Sequence, residues 1–484
     1  MSPMQDLLRK IPSVEALLQE DRLAAAADGV PRKIVLECVR AAVEEARAAL
    51  MAGNAPLPPE AAPSSFILHP SSLTSAALRD QILAAAQRAI GALRGPYYRR
   101  VINATGIVLH TALGRAALPA VAIRQIAGEL CGYSLLQADP ATGQRAKRDA
   151  RIEWLFQQLT GAEAATVVNN NAAATWIALN TVAAGREVIV SRGQLVEIGG
   201  SFRLPDVMAA SGAKMVEVGT TNKTHARDYR QAITPQTAAI LRVHPSNYKI
   251  TGFTSEVPLE ELAGIAHEHE LALIDDVGAG ALADLEPLGL DAGPRLAGSI
   301  RGGADLVLSS TDKLIGGPQG GVILGKAALV EAVRKNPLAR IVRVGKLTLA
   351  ALEATLMLFF DRERALAEVP TLRMVCRSLE DIAAQAGRIA EAILRAAPAA
   401  AAAVVDGVSQ MGGGSLPGQD LPTRLVAVGS AGVGPDELAR RLRRGSPSVF
   451  ARISADRVLL DPRTLLDGEE GPLAAAVVAA LGEN

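Results

Sequence analysis

The chain has 484 residues, with 50 Lys and Arg set against 50 Asp and Glu, 49% apolar residues and only 3% aromatic ones. Zero formal charge excludes indiscriminate electrostatic binding to nucleic acid or anionic membrane, the apolar content provides for a large core, and the length implies about three domains. Scarce aromatics disfavour a base-stacking interaction module, and the scattered Cys38, Cys131 and Cys376 have no metal-site or disulfide spacing, which points to a reducing, cytoplasmic setting.

Helical periodicity is present around Val14 to Leu23 and Ile34 to Met51, and a Pro-rich stretch from Ala55 to Ser72 interrupts it. The expected organisation is an N-terminal helical module (1–54), a Pro-rich linker with a connecting helix (55–95), a large domain (96–350) and a smaller C-terminal α+β domain (351–484). Between about Val101 and Leu324, apolar runs at Ala165 to Val168, Glu187 to Val190, Lys214 to Val218, Ala239 to Val243, Leu271 to Asp275 and Asp305 to Ser309 alternate with helix-like stretches. That alternation predicts an α/β domain whose mostly parallel sheet is covered on both faces, with its chemistry in loops at the C-terminal strand ends. Further strands are expected at Arg424 to Val428 and Arg457 to Leu460, and the Ala-rich run Ala396 to Val405 reads as a helix end. No apolar run approaches the roughly 20 residues that span a bilayer, and no metal-ligand pattern is present.

Three strand ends carry chemistry. In Thr166–Ala174 an apolar strand runs into Asn169, Asn170 and Asn171 and then small residues; Asn caps a helix well, and small residues leave the first backbone N–H groups open to a phosphate. In Leu271–Gly280 an apolar strand ends in Asp275 and Asp276, and a buried carboxylate there requires a cationic partner such as a pyridinium nitrogen. In Ser309–Gly321 hydroxyls precede Lys313 and glycines follow it, a setting in which a desolvated amine suits Schiff-base chemistry. A fourth feature is basic: Ala332 to Leu352 holds Arg334, Lys335, Arg340, Arg343 and Lys346 with no acidic residue, and Arg340 and Arg343 are spaced to clamp an oxyanion together.

The order of Asn loop, strand-end Asp and Ser-x-x-Lys resembles the large domain of fold-type I pyridoxal-phosphate enzymes. The resemblance implies that Asn170, Asn171, Ala172 and Ser310 hold the phosphate, that Asp275, the aspartate directly ending the apolar strand, pairs with the ring nitrogen, and that Lys313 carries the cofactor. Val101–Arg115, Val168–Ala174, Ser191–Pro205, Thr220–Thr224, Lys313–Gly321 and Leu8–Val14 are, more narrowly, similar to bacterial selenocysteine synthase, L-seryl-tRNA(Sec) selenium transferase.

That resemblance implies β-elimination of the hydroxyl of serine esterified to tRNA(Sec), through a dehydroalanyl intermediate, then addition of selenium from selenophosphate. It also implies a phosphate site at Arg115, Arg340 and Arg343, a tRNA-binding N-terminal module and a homo-oligomer, and His244 reads as a candidate lining of the site. Gln137 and Ala146 stand where relatives carry a carboxylate and a glycine, and Arg151 where a His is usual. Two rivals are a fold-type I lyase or aminotransferase acting on a free amino acid or amino sugar, and a tRNA-binding protein with a vestigial cofactor site.

Overall fold

The computed structural model describes residues 8–51, 74–200, 202–291 and 293–482. The chain opens in helices α1 (Val14–Leu18), α2 (Asp21–Ala27), α3 (Arg32–Met51) and α4 (Ser75–Arg94). Ser13 caps α1 and Thr74 caps α4, each side chain accepting a backbone N–H of the first turn at 3.2 Å. Val39, Val43, Ala46 and Leu50 on α3 face Leu78, Ile82, Ala86 and Ile90 on α4, and with Leu17 and Leu23 they close a core of their own. The expected boundary at 54/55 therefore falls differently. Helix α4 carries an apolar stripe and belongs to the module's core; the Pro-rich segment expected as linker lies outside the described residues.

The main sheet has seven strands in the order β2-β10-β9-β8-β7-β3-β6. Their ranges are β2 Ala164–Val168, β3 Glu187–Ser191, β6 Lys214–Val218, β7 Thr237–Val243, β8 Ala272–Gly278, β9 Leu306–Ser310 and β10 Gly321–Gly325. Strand β10 runs antiparallel to both neighbours and the other pairings are parallel. Central strands are buried along their length because helices cover both faces, which gives two separate cores, one on each side. Among the described residues no helix is long and apolar enough to cross a membrane.

A second sheet has the order β1-β13-β14-β12-β11, built from β1 Ile102–Ala104, β11 Ala401–Gln410, β12 Asp420–Gly429, β13 Val449–Ser454 and β14 Arg457–Leu460. Strand β1 enters it parallel to β13, so residues just after α4 complete the C-terminal domain rather than the large one. At the other expected boundary, helix Lys346–Leu358 continues across residue 350 and packs Leu349, Leu352 and Leu356 into the large-sheet core. The Ala-rich run is also corrected. The helix ends at Ala396, two residues before Pro398, and Ala401–Gln410 pairs antiparallel with β12 over its whole length. Proline stops the helix, and Val404, Val405 and Val408 suit a pleated strand.

Candidate active site

The C-terminal ends of β2, β8 and β9 meet at one place. Helix α5 (Asn171–Ala183) starts directly after β2, with Asn170 as its N-cap in extended conformation and its Oδ1 accepting from Ala173 N at 2.8 Å. The N–H groups of Asn171 and Ala172, in the first turn, remain pointed outward, which is the geometry that binds a phosphate at a helix N-terminus. Across the sheet, Ser310, Gly321 and Val168 are aligned on adjacent strands. A Cβ on Gly321 would run into the backbone of Asn170 and Asn171, so only glycine lets the Asn loop close down beside the strand that carries Ser310. These features form a cradle between the first turn of α5 and the strand that carries Ser310.

Lys313 lies beyond β9 in a loop closed by Thr311 N to Gly320 O at 2.9 Å and Gly317 N to Thr311 O at 2.8 Å. Its amine is buried, donating only a long 3.4 Å hydrogen bond to the Gly414 carbonyl. Burial pushes that amine below the ordinary lysine range and the Arg115 guanidinium adds to the effect, with Asp312 and Asp276 acting against it. Arg115 donates to Asp312 Oδ2 at 2.8 Å and holds a left-handed backbone, φ 62°.

Sequence reasoning missed Gly412–Gly414. Three consecutive left-handed glycines, φ 71°, 61° and 68°, let this segment pass against Ile107, Leu109 and the lysine amine. Backbone bonds Val108 N to Gln410 O and Leu109 N to Met411 O tie it to the segment leading to Arg115. The triplet of glycines was the available signal.

The two aspartates part company. Successive strand residues face opposite sides. Asp275 turns with Leu273 and Val277, accepts from Arg242 Nη1 at 2.9 Å and leaves its Oδ2 buried without a partner among the described residues. Asp276 turns with Ile274 toward α5, where Asn171 Nδ2 and Thr175 Oγ1 each donate at 2.8 Å, joined by Gly278 N at 3.2 Å. Every donor to Asp276 is neutral, and burial, its largest influence, pushes the carboxyl above its usual range. Arg242 thus accompanies Asp275, the aspartate expected to meet the ring nitrogen, whereas Asp276 stands beside the Asn loop and is the aspartate of the pair whose charge acts on Lys313.

Arg343 bridges Val168 in antiparallel fashion and Asn169 N donates to Val342 O at 2.8 Å, which brings the basic segment beside the Asn loop. Arg340 ends the short turn Pro337–Arg340. Both act on Arg148, which is pushed down by burial first and then by Arg343, Arg145 and Arg340. Arg148 donates to Val344 O at 3.0 Å and to Gln137 Oε1 at 2.9 Å. Arg145 and Arg148 thus share an electrostatic neighbourhood with Arg340 and Arg343, two more arginines than the spacing revealed. Among the described residues Arg115 has no ion pair or hydrogen bond with this group. His244 donates its backbone N–H to Asp276 O at 2.9 Å, and burial, followed by Arg242, pushes its imidazole below the usual range. Among the described residues no His, Cys, Asp and Glu cluster suits a metal ion.

The profile described as L-seryl-tRNA selenium transferase matches residues 101–466, and that described as selenocysteine synthase N terminal matches residues 8–47. The chain belongs to the L-seryl-tRNA selenium transferase family. It is 47% identical over 484 residues to the L-seryl-tRNA(Sec) selenium transferase of Solidesulfovibrio magneticus, covering 98% of each chain. Its identity to that of Geobacter sulfurreducens is 44% over 478 residues, covering 99% of each. Among solved structures, D-glucosaminate-6-phosphate ammonia-lyase superposes with a TM-score of 0.55 at 22% identity, over 79% of this chain and 96% of that one. That likeness extends to the fold, which is the fold-type I architecture.

Proposed function

We propose that this chain converts L-seryl-tRNA(Sec) to L-selenocysteinyl-tRNA(Sec), with pyridoxal 5'-phosphate bound in the cradle and selenophosphate as selenium donor. The observation that carries the proposal is the convergence of a buried, depressed lysine amine, an empty-sided helix N-terminus and a buried carboxylate with neutral donors only. The cofactor supplies an electron sink for the carbanion formed when the substrate Cα loses its proton. Asn170, Asn171, Ala172 and Ser310 would hold its phosphate. Asp276, in place of the expected Asp275, would face its ring nitrogen, since its donors carry no charge that already neutralises it.

Lys313 would carry the cofactor, and its buried amine is the group placed to hold the proton that leaves the substrate Cα. Burial lowers the pKa of this amine, which favours its action as a base. Serine in this substrate is esterified, so it offers the arginines no carboxylate. Arg340 and Arg343, supported by Arg145 and Arg148, hold the selenophosphate oxygens, and Arg115 joins them from its seat on Asp312. A homo-oligomer is part of the same reading. Exposed Tyr133, Leu135, Ile341 and Leu347 near the basic segment support such an apolar contact.

The test is purified protein with seryl-tRNA(Sec) and selenophosphate. Selenocysteinyl-tRNA(Sec) is expected as product, and Lys313→Ala is expected to abolish both turnover and the cofactor's visible absorbance while tRNA binding persists. Conversion of free serine or an amino sugar without any tRNA requirement would overturn the proposal.

A further inference from the structure

Residues 91–100, the last turn of helix α4 and the segment that leads from it toward the first strand of the body, are exposed throughout. In a chain with only five tyrosines, two stand here, Tyr97 at 88% exposure and Tyr98 at 95%. Their rings meet edge to face with centroids 5.3 Å apart, an arrangement that keeps the outer faces open. Among the described residues neither hydroxyl has a hydrogen-bond partner. The pair is held close to a fixed point, because Arg100 donates from Nε and Nη2 to Glu469 Oε1 at 3.2 and 2.9 Å and Ile102 N donates to Ser448 O at 2.9 Å.

The charge around the pair is as uneven as the chain's total is balanced. Residues 75–100 hold Arg79, Arg88, Arg94, Arg99 and Arg100 against a single acid, Asp80. Arg79 pairs with Glu20, Arg94 with Asp28 and Arg100 with Glu469, while Arg88 and Arg99 have no ion-pair partner among the described residues. Open aromatic faces next to the unpaired Arg99, with Arg88 also unpaired on the preceding helix, match the chemistry that binds unpaired nucleotides, by stacking on bases and neutralising phosphates. A protein partner or a second copy would gain apolar contact from the tyrosines and would have no evident use for the free guanidiniums.

We infer that Tyr97, Tyr98 and Arg99 form a stacking point for unpaired nucleotides of the tRNA substrate, at the joint between the helical module and the body. The inference rests on the proposed function, since the occupant is the RNA that reading requires. It places an RNA contact outside both the helical core and the catalytic cradle.

The test measures binding of full-length, cofactor-loaded protein to tRNA(Sec) transcript by fluorescence anisotropy across a salt series. Tyr97→Ala with Tyr98→Ala is expected to weaken binding about tenfold or more, because each lost base stack removes a factor of that order. Tyr97→Phe with Tyr98→Phe keeps the ring faces and is expected to bind within about twofold of the parent. Arg99→Ala is expected to lower the salt slope by about one. Cofactor absorbance and oligomer mass are expected to be unchanged in all three. Undiminished binding by the double Ala variant, equal weakening by the Phe variant, or a changed oligomer mass overturns the inference and leaves the proposed function standing. Failure of the parent protein to bind tRNA(Sec) overturns both.

Discussion

Asp275 and Asp276 carry the same signal in the sequence and opposite surroundings in the structure, one held by a guanidinium and the other by an amide, a hydroxyl and a backbone N–H. The difference has a pH signature. The Asp276 carboxyl is raised in the fold, so its contribution to stability is complete below the ordinary carboxylate pKa of about 4 and is lost as pH rises through the raised value. Cofactor-free protein is therefore expected to melt at falling temperature as pH increases from that point, and Asp276→Asn is expected to flatten the fall; if Asp275→Asn flattens it instead, the assignment fails. A second residue-scale expectation concerns Gln137, which accepts from Arg148 without neutralising it. Gln137→Glu is expected to weaken phosphate inhibition several-fold by supplying the missing charge, and an unchanged inhibition constant would count against the four-arginine site. Asn170, Asn171, Ser310 and Lys313 were legible because each sits at a strand end marked by its own residue type. The choice between two adjacent aspartates was not, because it depends on which sheet face α5 covers. Arg145 and Arg148 were hidden for a related reason, being brought to Arg340 and Arg343 by tertiary packing alone.

At the scale of elements, the cradle depends on β10 lying flat against the Asn loop. Gly321→Ala would place a methyl inside the backbone of Asn170 and Asn171, so the loop must move, at a cost of about 1–3 kcal/mol for forced overpacking. Cofactor affinity is expected to fall at least tenfold with the secondary structure retained, read by absorbance titration and circular dichroism; unchanged affinity would mean that the loop is not closed by this contact. All six predicted strand runs in the large sheet emerge within three residues of their observed limits, since buried parallel strands are near-continuous apolar runs. Strand β10 hid behind the glycines of the lysine loop, and β11 behind alanines whose helix preference is overridden by pairing with β12.

For the whole molecule, the shared core of α3 and α4 sets where the chain can be divided. Removing residues 1–52 would strip α4 of its partner and expose Leu78, Ile82, Leu83 and Ile90, so that truncation is expected to aggregate. Removing residues 1–94 is expected to leave a protein that retains cofactor absorbance and loses tRNA affinity; a melting temperature far below that of the full chain would show that the module stabilises the body. The near balance of charge, legible at once, describes the molecule only on average, since it conceals arginine groups beside the Asn loop and along residues 75–100. The parallel pairing of β1 with β13 has a further consequence, for the order of events on the ribosome. The helical module can close as soon as α4 is made, and the seven-stranded sheet once β10 has emerged, but β1 must wait for a partner encoded far downstream of it. Until then Ile102 and Ala104 have no shelter, and Asp461, whose N–H bonds Ala104 O, does not yet exist. Vectorial synthesis thus leaves the second sheet, and with it the glycine segment beside Lys313, to be assembled after the seven-stranded one, so that the Lys313 amine is enclosed only once the chain has been made well beyond the lysine loop.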